Sequence, residues 1–133
     1  MLTYMLDTDI VIYTMKTKPQ AVREAFNARY GQLAISSVTL MELIFGAHKS
    51  ANPARNLREV EGFAARVEVL PYDFDAAAHT GQLRAELAKL DTPIGPYDQM
   101  IAGHARSRGL ILVTTNVSEF SRVSGLRIEN WAT

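Results

Sequence analysis

Short apolar runs that stop at polar residues, and that alternate with helical patterns, are the feature that most narrows the fold of this chain. Residues 3–6 read Thr-Tyr-Met-Leu and end at Asp7, and residues 33–35 and 110–113 form similar strand-like runs. Between these runs, apolar side chains recur at the three- and four-residue spacing of amphipathic helices. The alternation predicts an α/β sandwich with a central, mostly parallel sheet. Such sheets place their sites beyond the carboxyl ends of the strands.

The helical patterns give the expected order of elements. Helices are predicted at about residues 10–15, 19–30, 38–49, 73–90 and 96–107, with another opening at Pro53, and further strands at 67–70 and 127–129. The expected inner face of the helix at 73–90 consists of Phe74, Ala77, Ala78, Leu83 and Leu87. Because no repeat or low-complexity linker interrupts the pattern, residues 1–133 are predicted to form one domain.

The balance of charge limits how the chain could hold nucleic acid. Fourteen basic and fourteen acidic residues cancel, whereas a protein that binds nucleic acid through bulk electrostatics is normally basic. Any RNA contact must therefore be local. Arg84, Arg106 and Arg108 are basic candidates, with a solvated helix face as the alternative for each.

Other broad classes are excluded by what the sequence lacks. Without cysteine there are no disulfides and no thiolate metal sites. No apolar run approaches the roughly 18 residues of a membrane span, and the start of the chain has an acid where a signal peptide has basic residues. A cytoplasmic location without a membrane partner is expected. No phosphate-binding glycine loop is present, which argues against nucleoside triphosphate chemistry.

Three of the acidic residues lie in apolar surroundings. Asp7 follows Tyr-Met-Leu, Glu42 lies inside Leu-Met-Glu-Leu-Ile-Phe, and Asp98 precedes Gln-Met-Ile-Ala. A buried carboxylate is costly unless its charge is compensated. If the sheet brings the three to one edge, converging carboxylates without a nearby Lys or Arg indicate a bound cation. Oxygen ligands without His or Cys favour Mg²⁺, with Mn²⁺ as a substitute, over zinc.

Each of these acids also has a purely structural explanation. Asp7 could cap the first helix, and Thr39-x-x-Glu42 matches a capping box. Asp98, in a first helical turn, would interact favourably with the helix dipole. The histidines show no ligand spacing and are expected on helix faces or interfaces: His48, His79 and His104.

The same acids lie in four motifs that resemble a known family. Over essentially its whole length the chain resembles PIN-domain ribonucleases, specifically the VapC-type toxins of type II toxin–antitoxin systems. The motifs are Met5-Leu6-Asp7-Thr8 and the segments at residues 35–46, 93–102 and 112–120. Each motif is weak alone, but four in this order and spacing are specific.

The resemblance implies an α/β/α fold and metal-dependent endoribonuclease activity. Asp7, Glu42 and Asp98 match the family's acidic positions, the two aspartates as direct metal ligands and Glu42 as a further ligand or as the group that orients the attacking water. Asn116 stands where many PIN domains have a fourth acid, and Glu119 could supply the missing carboxylate. Thr114 and Asn116 could position a water or a phosphate oxygen. Asp9 is an unusual acid in this family, for which a helix cap is favoured over a second metal.

The resemblance also implies partners. They are a cognate VapB-type antitoxin, a second copy of the chain in a homodimer, and operator DNA only through the antitoxin. The substrate ranked first is a tRNA cut in its anticodon stem–loop, with initiator tRNA ahead of others, because RNA is usually read at unpaired loops.

Two other functions stay open on the residues alone. A catalytically inactive PIN-like interaction module is kept open by the neutral Asn116, and a DNA-directed metal-dependent nuclease would share the acidic site. A phosphoacceptor receiver domain fails, because the Asp after the third predicted strand is misplaced and no Lys follows Lys89.

Overall fold

The computed structural model describes residues 1–132, in which strands and helices alternate as predicted. The elements are β1 (Tyr4–Leu6), α1 (Thr8–Thr17), α2 (Gln20–Ala28), β2 (Leu33–Ser36), α3 (Ser37–Lys49), α4 (Pro53–Ala64), β3 (Glu68–Leu70), α5 (Phe74–Lys89), α6 (Pro96–Ser107), β4 (Ile111–Val113), α7 (Val117–Phe120) and β5 (Ile128–Glu129). The predicted boundaries differ from these mostly by one or two residues. The last residue of the predicted domain, Thr133, lies outside the described residues, and the single-domain organisation stays a prediction.

The five strands form one sheet in the order β3-β2-β1-β4-β5, and every neighbouring pair is parallel. The expected sheet was mostly parallel, and the described strands are wholly so. The chain builds outward from β1 to β3 on one side and then returns to build β4 and β5 on the other. The switch point therefore lies between β1 and β4, where Leu6 pairs with Val113, and this is where ligands bind in open α/β sheets.

Two apolar layers cover the two faces of the sheet, because successive strand residues point to opposite sides. On one face Met5 and Leu112 pack with residues of α5, α6 and α7. On the other face Leu6 and Val113 pack with residues of α1 to α4. The result is the predicted α/β/α sandwich, in which β1 is buried and Asp7 follows its carboxyl end.

The predicted inner face of α5 is wrong in part. Phe74 is 85% exposed and Ala77 and Ala78 are exposed as well. The buried positions are Ala76, Thr80, Leu83 and Leu87. Asp73 caps the helix by accepting a hydrogen bond from the Ala76 N–H at 2.9 Å. At this start the buried residues follow helical spacing from position 76, which leaves Phe74 on the solvent side.

His104 is fully buried between α6 and the start of α3, so of the two expected places it takes an interface and not an exposed helix face. Its Nδ1 lies 2.8 Å from the hydroxyl of Ser36, which also accepts a hydrogen bond from the Val38 N–H and so caps α3. Burial lowers the pKa of His104. The neutral imidazole thus ties α6, which carries Asp98, to the start of α3, which carries Glu42.

Candidate active site

Asp7 lies at the carboxyl end of β1 and is 1% exposed. One carboxylate oxygen caps α1 by accepting a hydrogen bond from the Ile10 N–H at 2.7 Å, and the other accepts a hydrogen bond from the Thr114 hydroxyl at the end of β4. Burial raises the pKa of Asp7 to about 6, against the lowering effect of these two hydrogen bonds; the charges of Asp9 and Glu42 raise it further. Asp7 therefore caps α1 and is also a buried carboxyl at the switch point whose ionised form is disfavoured.

Asp98 lies in the first turn of α6 and is half-buried. Burial raises the pKa of Asp98 to about 7, followed in effect by a hydrogen bond with the Glu119 carboxyl and by the negative charges of Glu119, Asp9 and Asp7. Two carboxyl groups that share a hydrogen bond must share a proton between them. Asp98 and Glu119 are therefore brought together, as the sequence suggested, and Asp7 lies in the same electrostatic environment.

Glu119 joins the start of α7 to the loop before α6. Its Oε1 accepts a hydrogen bond from the Gly95 N–H at 3.3 Å, and its Oε2 accepts one from the Asn116 side-chain amide at 2.6 Å. The Asn116 N–H in turn donates to the Thr114 hydroxyl oxygen at 2.9 Å. Asn116 therefore does not replace the absent fourth acid but holds Glu119, the neighbouring carboxylate, beside Asp98.

Glu42 does not form the capping box that its spacing suggested, because α3 begins at Ser37 and Ser36 is its cap. Glu42 instead lies in the second turn, where its Oε1 accepts a hydrogen bond from the Thr8 hydroxyl at 2.6 Å. The Thr8 hydroxyl is also 3.1 Å from that of Thr39. Sequence reasoning missed this role of Thr8, although its place directly after Asp7 in the first motif was a signal.

The expectation that Asp9 caps α1 is wrong. Asp9 is exposed in the first turn of α1, and Asp7 is the residue that caps this helix. Its charge raises the pKa of both Asp7 and Asp98. Asp9 therefore adds negative potential to the candidate site.

The electrostatics of this group fit a hard cation. The neighbouring charges that shift the pKa of Asp7 and Asp98 are all negative, and the polar groups around them offer oxygen atoms. Within residues 1–132, however, no three carboxylate or imidazole groups lie close enough to form a complete metal cage. Mg²⁺ is commonly held by one or two carboxylates, with water and substrate phosphate completing its shell. A partial ligand set of Asp7 and Asp98 is consistent with this mode of Mg²⁺ binding.

Two of the basic residues that the sequence offers as RNA contacts, Arg106 and Arg108, lie away from this site. The Arg106 guanidinium donates hydrogen bonds to the carbonyls of His79 and Ser124 and to the Gln82 side chain. Ser124 leads toward the amino end of β5, and Arg108 lies just before that of β4. Both arginines therefore lie toward the amino ends of the strands, away from the acids, and their contact with RNA stays a prediction. Arg84 is exposed on α5.

Among residues 1–132, none of the helices combines the length and the apolar character needed to cross a bilayer.

Comparison with known proteins gives a consistent result. The PIN domain family model matches residues 4–126. The chain is 64% identical to the tRNA(fMet)-specific endonuclease VapC of Shigella flexneri, over 99% of this chain and 100% of that protein. It is 62% identical to the protein of the same name in Salmonella typhimurium, over 98% and 99% of the two chains.

Solved structures agree. The fold matches a chain in the crystal structure of DNA-bound VapBC from Salmonella typhimurium with a TM-score of 0.97 and 62% identity, covering 98% of this chain and 99% of that one. It matches VapBC2 from Rickettsia felis, bound to a promoter DNA fragment, with a TM-score of 0.94 and 33% identity over 98% and 99%. The resemblance found in the motifs and the nuclease class are thereby confirmed. The chain belongs to the PIN-domain family and, within it, to the VapC endonucleases.

Proposed function

We propose that this protein is a Mg²⁺-dependent endoribonuclease toxin that cuts a tRNA in its anticodon stem–loop, with initiator tRNA ranked first. The observation that carries the proposal is the pair of carboxyls with raised pKa, Asp7 and Asp98, at the switch point of the sheet. Its support is the 64% identity to a relative named as a tRNA(fMet)-specific endonuclease.

Asp7 and Asp98 are the residues that would hold the cation directly, since burial and negative neighbours disfavour their ionised forms and a bound cation would compensate that charge. PIN-domain nucleases are generally dependent on divalent metals. A divalent cation held there would lower the pKa of an attacking water and offset charge on the phosphate. Mn²⁺ uses the same oxygen ligands and would substitute.

The remaining residues hold these groups in place and move protons. Thr114 fixes one oxygen of Asp7, and the cap of α1 fixes the other, so the carboxylate has a single orientation. Asn116 and the Gly95 N–H hold Glu119 against Asp98. Glu42, fixed by Thr8, is the group placed to orient the attacking water or accept its proton.

A single-stranded loop is the RNA feature that suits this site. Zero net charge gives the chain little general attraction to RNA. Selectivity must then come from shape and from unpaired bases, which an anticodon loop presents. Messenger RNA without such a loop would be cut slowly. The site of action would be the cytoplasm, where tRNA is used.

A cognate antitoxin would neutralise the enzyme through a groove beside the site. The groove lies between α1, α3 and α4, has a volume of about 470 Å³, and has Glu42 in its lining. A partner segment in this groove would therefore reach a site carboxylate. The solved relatives in DNA-bound VapBC complexes support such a partner, and contact with operator DNA would be made through the antitoxin.

The experiment is a brief induction of the toxin, followed by sequencing of new RNA 5′ ends. A dominant new end in the anticodon loop of initiator tRNA is expected. The matched control is Asp7→Asn, which should produce none. Cuts spread through messenger RNA with tRNA intact would overturn the substrate, and the absence of any new RNA end on induction of wild type would overturn the ribonuclease.

A further inference from the structure

A large exposed aromatic side chain, that of Tyr97, adjoins Asp98 in the chain. Tyr97 directly precedes Asp98 in the first turn of α6 and is 48% exposed. Adjacent residues have Cα atoms about 3.8 Å apart, so the base of the ring starts within one residue of a proposed metal ligand. An exposed aromatic ring is apolar surface that a bound molecule can cover, and this one belongs to the helical turn that carries Asp98.

A second exposed apolar side chain follows a site residue on the neighbouring element. Val117 comes directly after Asn116 at the start of α7 and is 41% exposed. The two starts are joined by hydrogen bonds, because Glu119 on α7 accepts from the Gly95 N–H immediately before α6. On each of these elements, an exposed apolar side chain is therefore the neighbour in sequence of a residue of the candidate site.

The charge of the site makes apolar contact the available source of affinity for RNA there. Asp7, Asp98 and Glu119 repel phosphate, and the arginines on α6 and just after it lie toward the opposite edge. Every nucleobase has a flat face, and stacking on an aromatic ring is effective without positive charge. A base flanking the cleaved bond must lie within a nucleotide's length of the metal, and Tyr97 is the neighbour in the chain of a residue that would hold that metal.

We propose that Tyr97 is a substrate-positioning residue, whose ring stacks on the unpaired nucleobase adjoining the scissile phosphate, with Val117 bordering the same base. The inference rests on the proposed function, since it names a subsite of the same active site. Stacking fixes the sugar–phosphate backbone beside Asp98 and so selects loops over paired RNA, in which the bases are not free.

The test uses the full chain freed of antitoxin and a synthetic anticodon stem–loop of initiator tRNA. In an Asp7→Asn background, in which cleavage should be slow enough to measure binding, Tyr97→Ala should raise the Kd for this RNA about tenfold. Tyr97→Phe and Tyr97→Trp should leave it within about twofold. In the active chain, Tyr97→Ala should raise KM by a similar factor with a smaller change in kcat. The loss should be equal at low and high salt, because stacking involves no counterion release.

Tyr30→Ala is the matched control. Tyr30 is 73% exposed but lies before β2, at the opposite edge of the sheet, and its removal should leave both constants unchanged. A set of stem–loops that each lack one base then identifies the partner. For one of these RNAs, wild type and Tyr97→Ala should bind equally, because the base that Tyr97 contacts is already missing.

Three results would overturn the inference. They are an unchanged Kd in Tyr97→Ala, a loss that is the same for every base-deleted RNA, and a loss confined to antitoxin binding, which would make Tyr97 a protein contact. Failure of the proposed function is distinguishable, since it appears as absent cleavage by wild type, whereas the binding comparison does not require cleavage.

Discussion

At the scale of single residues, the carboxyls of Asp7 and Asp98 are distinguished by raised pKa values, because their surroundings disfavour the ionised form. Burial raises the pKa of Asp7 to about 6 and, with the nearby Glu119, that of Asp98 to about 7, compared with 3.8 for an ordinary Asp. In the unfolded chain both groups lose their protons near pH 4. The folded state therefore holds more protons than the unfolded state between about pH 4 and 7, and its stability falls as the pH rises through this range.

The first prediction concerns this pH dependence. Without divalent metal, the free energy of unfolding should decrease from pH 5 to pH 7.5, and Asp98→Asn should reduce the decrease because Asn cannot ionise. Mn²⁺ at pH 7.5 should restore stability in wild type by binding the folded state. Urea denaturation in EDTA at each pH measures the effect, with the exposed Asp91→Asn as control. Equal pH slopes in wild type and Asp98→Asn would contradict it.

A second residue-scale prediction concerns Thr8, whose hydroxyl donates to Glu42 at 2.6 Å. Thr8→Val keeps the shape and removes the donor, so Glu42 loses its fixed orientation. Cleavage should fall about 10- to 100-fold, as is usual when a supporting hydrogen bond of a metal site is removed. Thr17→Val is the control, because its hydroxyl bonds only to the Tyr13 carbonyl on the same helix. Unchanged cleavage in Thr8→Val would exclude a role for this contact.

At the scale of elements, the packing of α5 against α6 determines the position of Asp98. A Cβ added to Gly103 would overlap the Thr80 hydroxyl and lie 2.7 Å from the Thr80 backbone nitrogen. Because backbone cannot yield as a side-chain tip can, only glycine permits this approach. The close contact fixes α6, and with it the position of Asp98 relative to the sheet.

The third prediction uses this contact. Gly103→Ala should destabilise the protein by about 1–3 kcal/mol, because overpacking exceeds the gain in helix propensity. Gly81→Ala is the matched control, since a Cβ there meets nothing within 4 Å, and it should be neutral or stabilising by up to about 1 kcal/mol. Thermal melts measure both. Equal melting temperatures for the two variants would show that α5 and α6 separate freely.

The elements also show how far sequence reasoning could go. Apolar neighbours in the sequence predict the site acids, because such neighbours indicate a buried carboxylate. Apolar runs that stop at Asp7 and Thr114 predict the ends of two strands. The exposed side of α5 was missed because Phe74 looks like a core residue until the cap at Asp73 sets the helix start. The bond from Asn116 to Glu119 was also hidden, because a side-chain contact of this kind leaves no periodic trace.

At the scale of the whole molecule, apolar surface on α3 exceeds what the core covers. Met41 is 41% exposed, Ile44 37% and Phe45 62%. Contiguous exposed apolar side chains of this size mark partner surfaces. The homodimer and the antitoxin complex stay predictions, and this patch is the surface that we expect one of them to cover.

The fourth prediction is that the chain is a dimer at tens of micromolar, by light scattering, and forms a stable complex with the product of the adjacent small gene. Phe45→Lys should weaken at least one of these associations without unfolding the chain, because Phe45 is exposed. A monomeric wild type that the small gene does not neutralise would contradict the prediction.

Asp7 is the proposed ligand of the divalent cation that tRNA cleavage requires, and Asp7→Asn removes its negative charge. Asn also caps helices and can accept the bond from Thr114, so the fold should persist with an unchanged circular dichroism spectrum. On purified initiator tRNA, wild type should cut the anticodon loop with Mg²⁺ and not with EDTA, and Asp7→Asn should be slower by about 100-fold or more. Cleavage by Asp7→Asn at a near-normal rate, or cleavage by wild type in EDTA, would contradict the account.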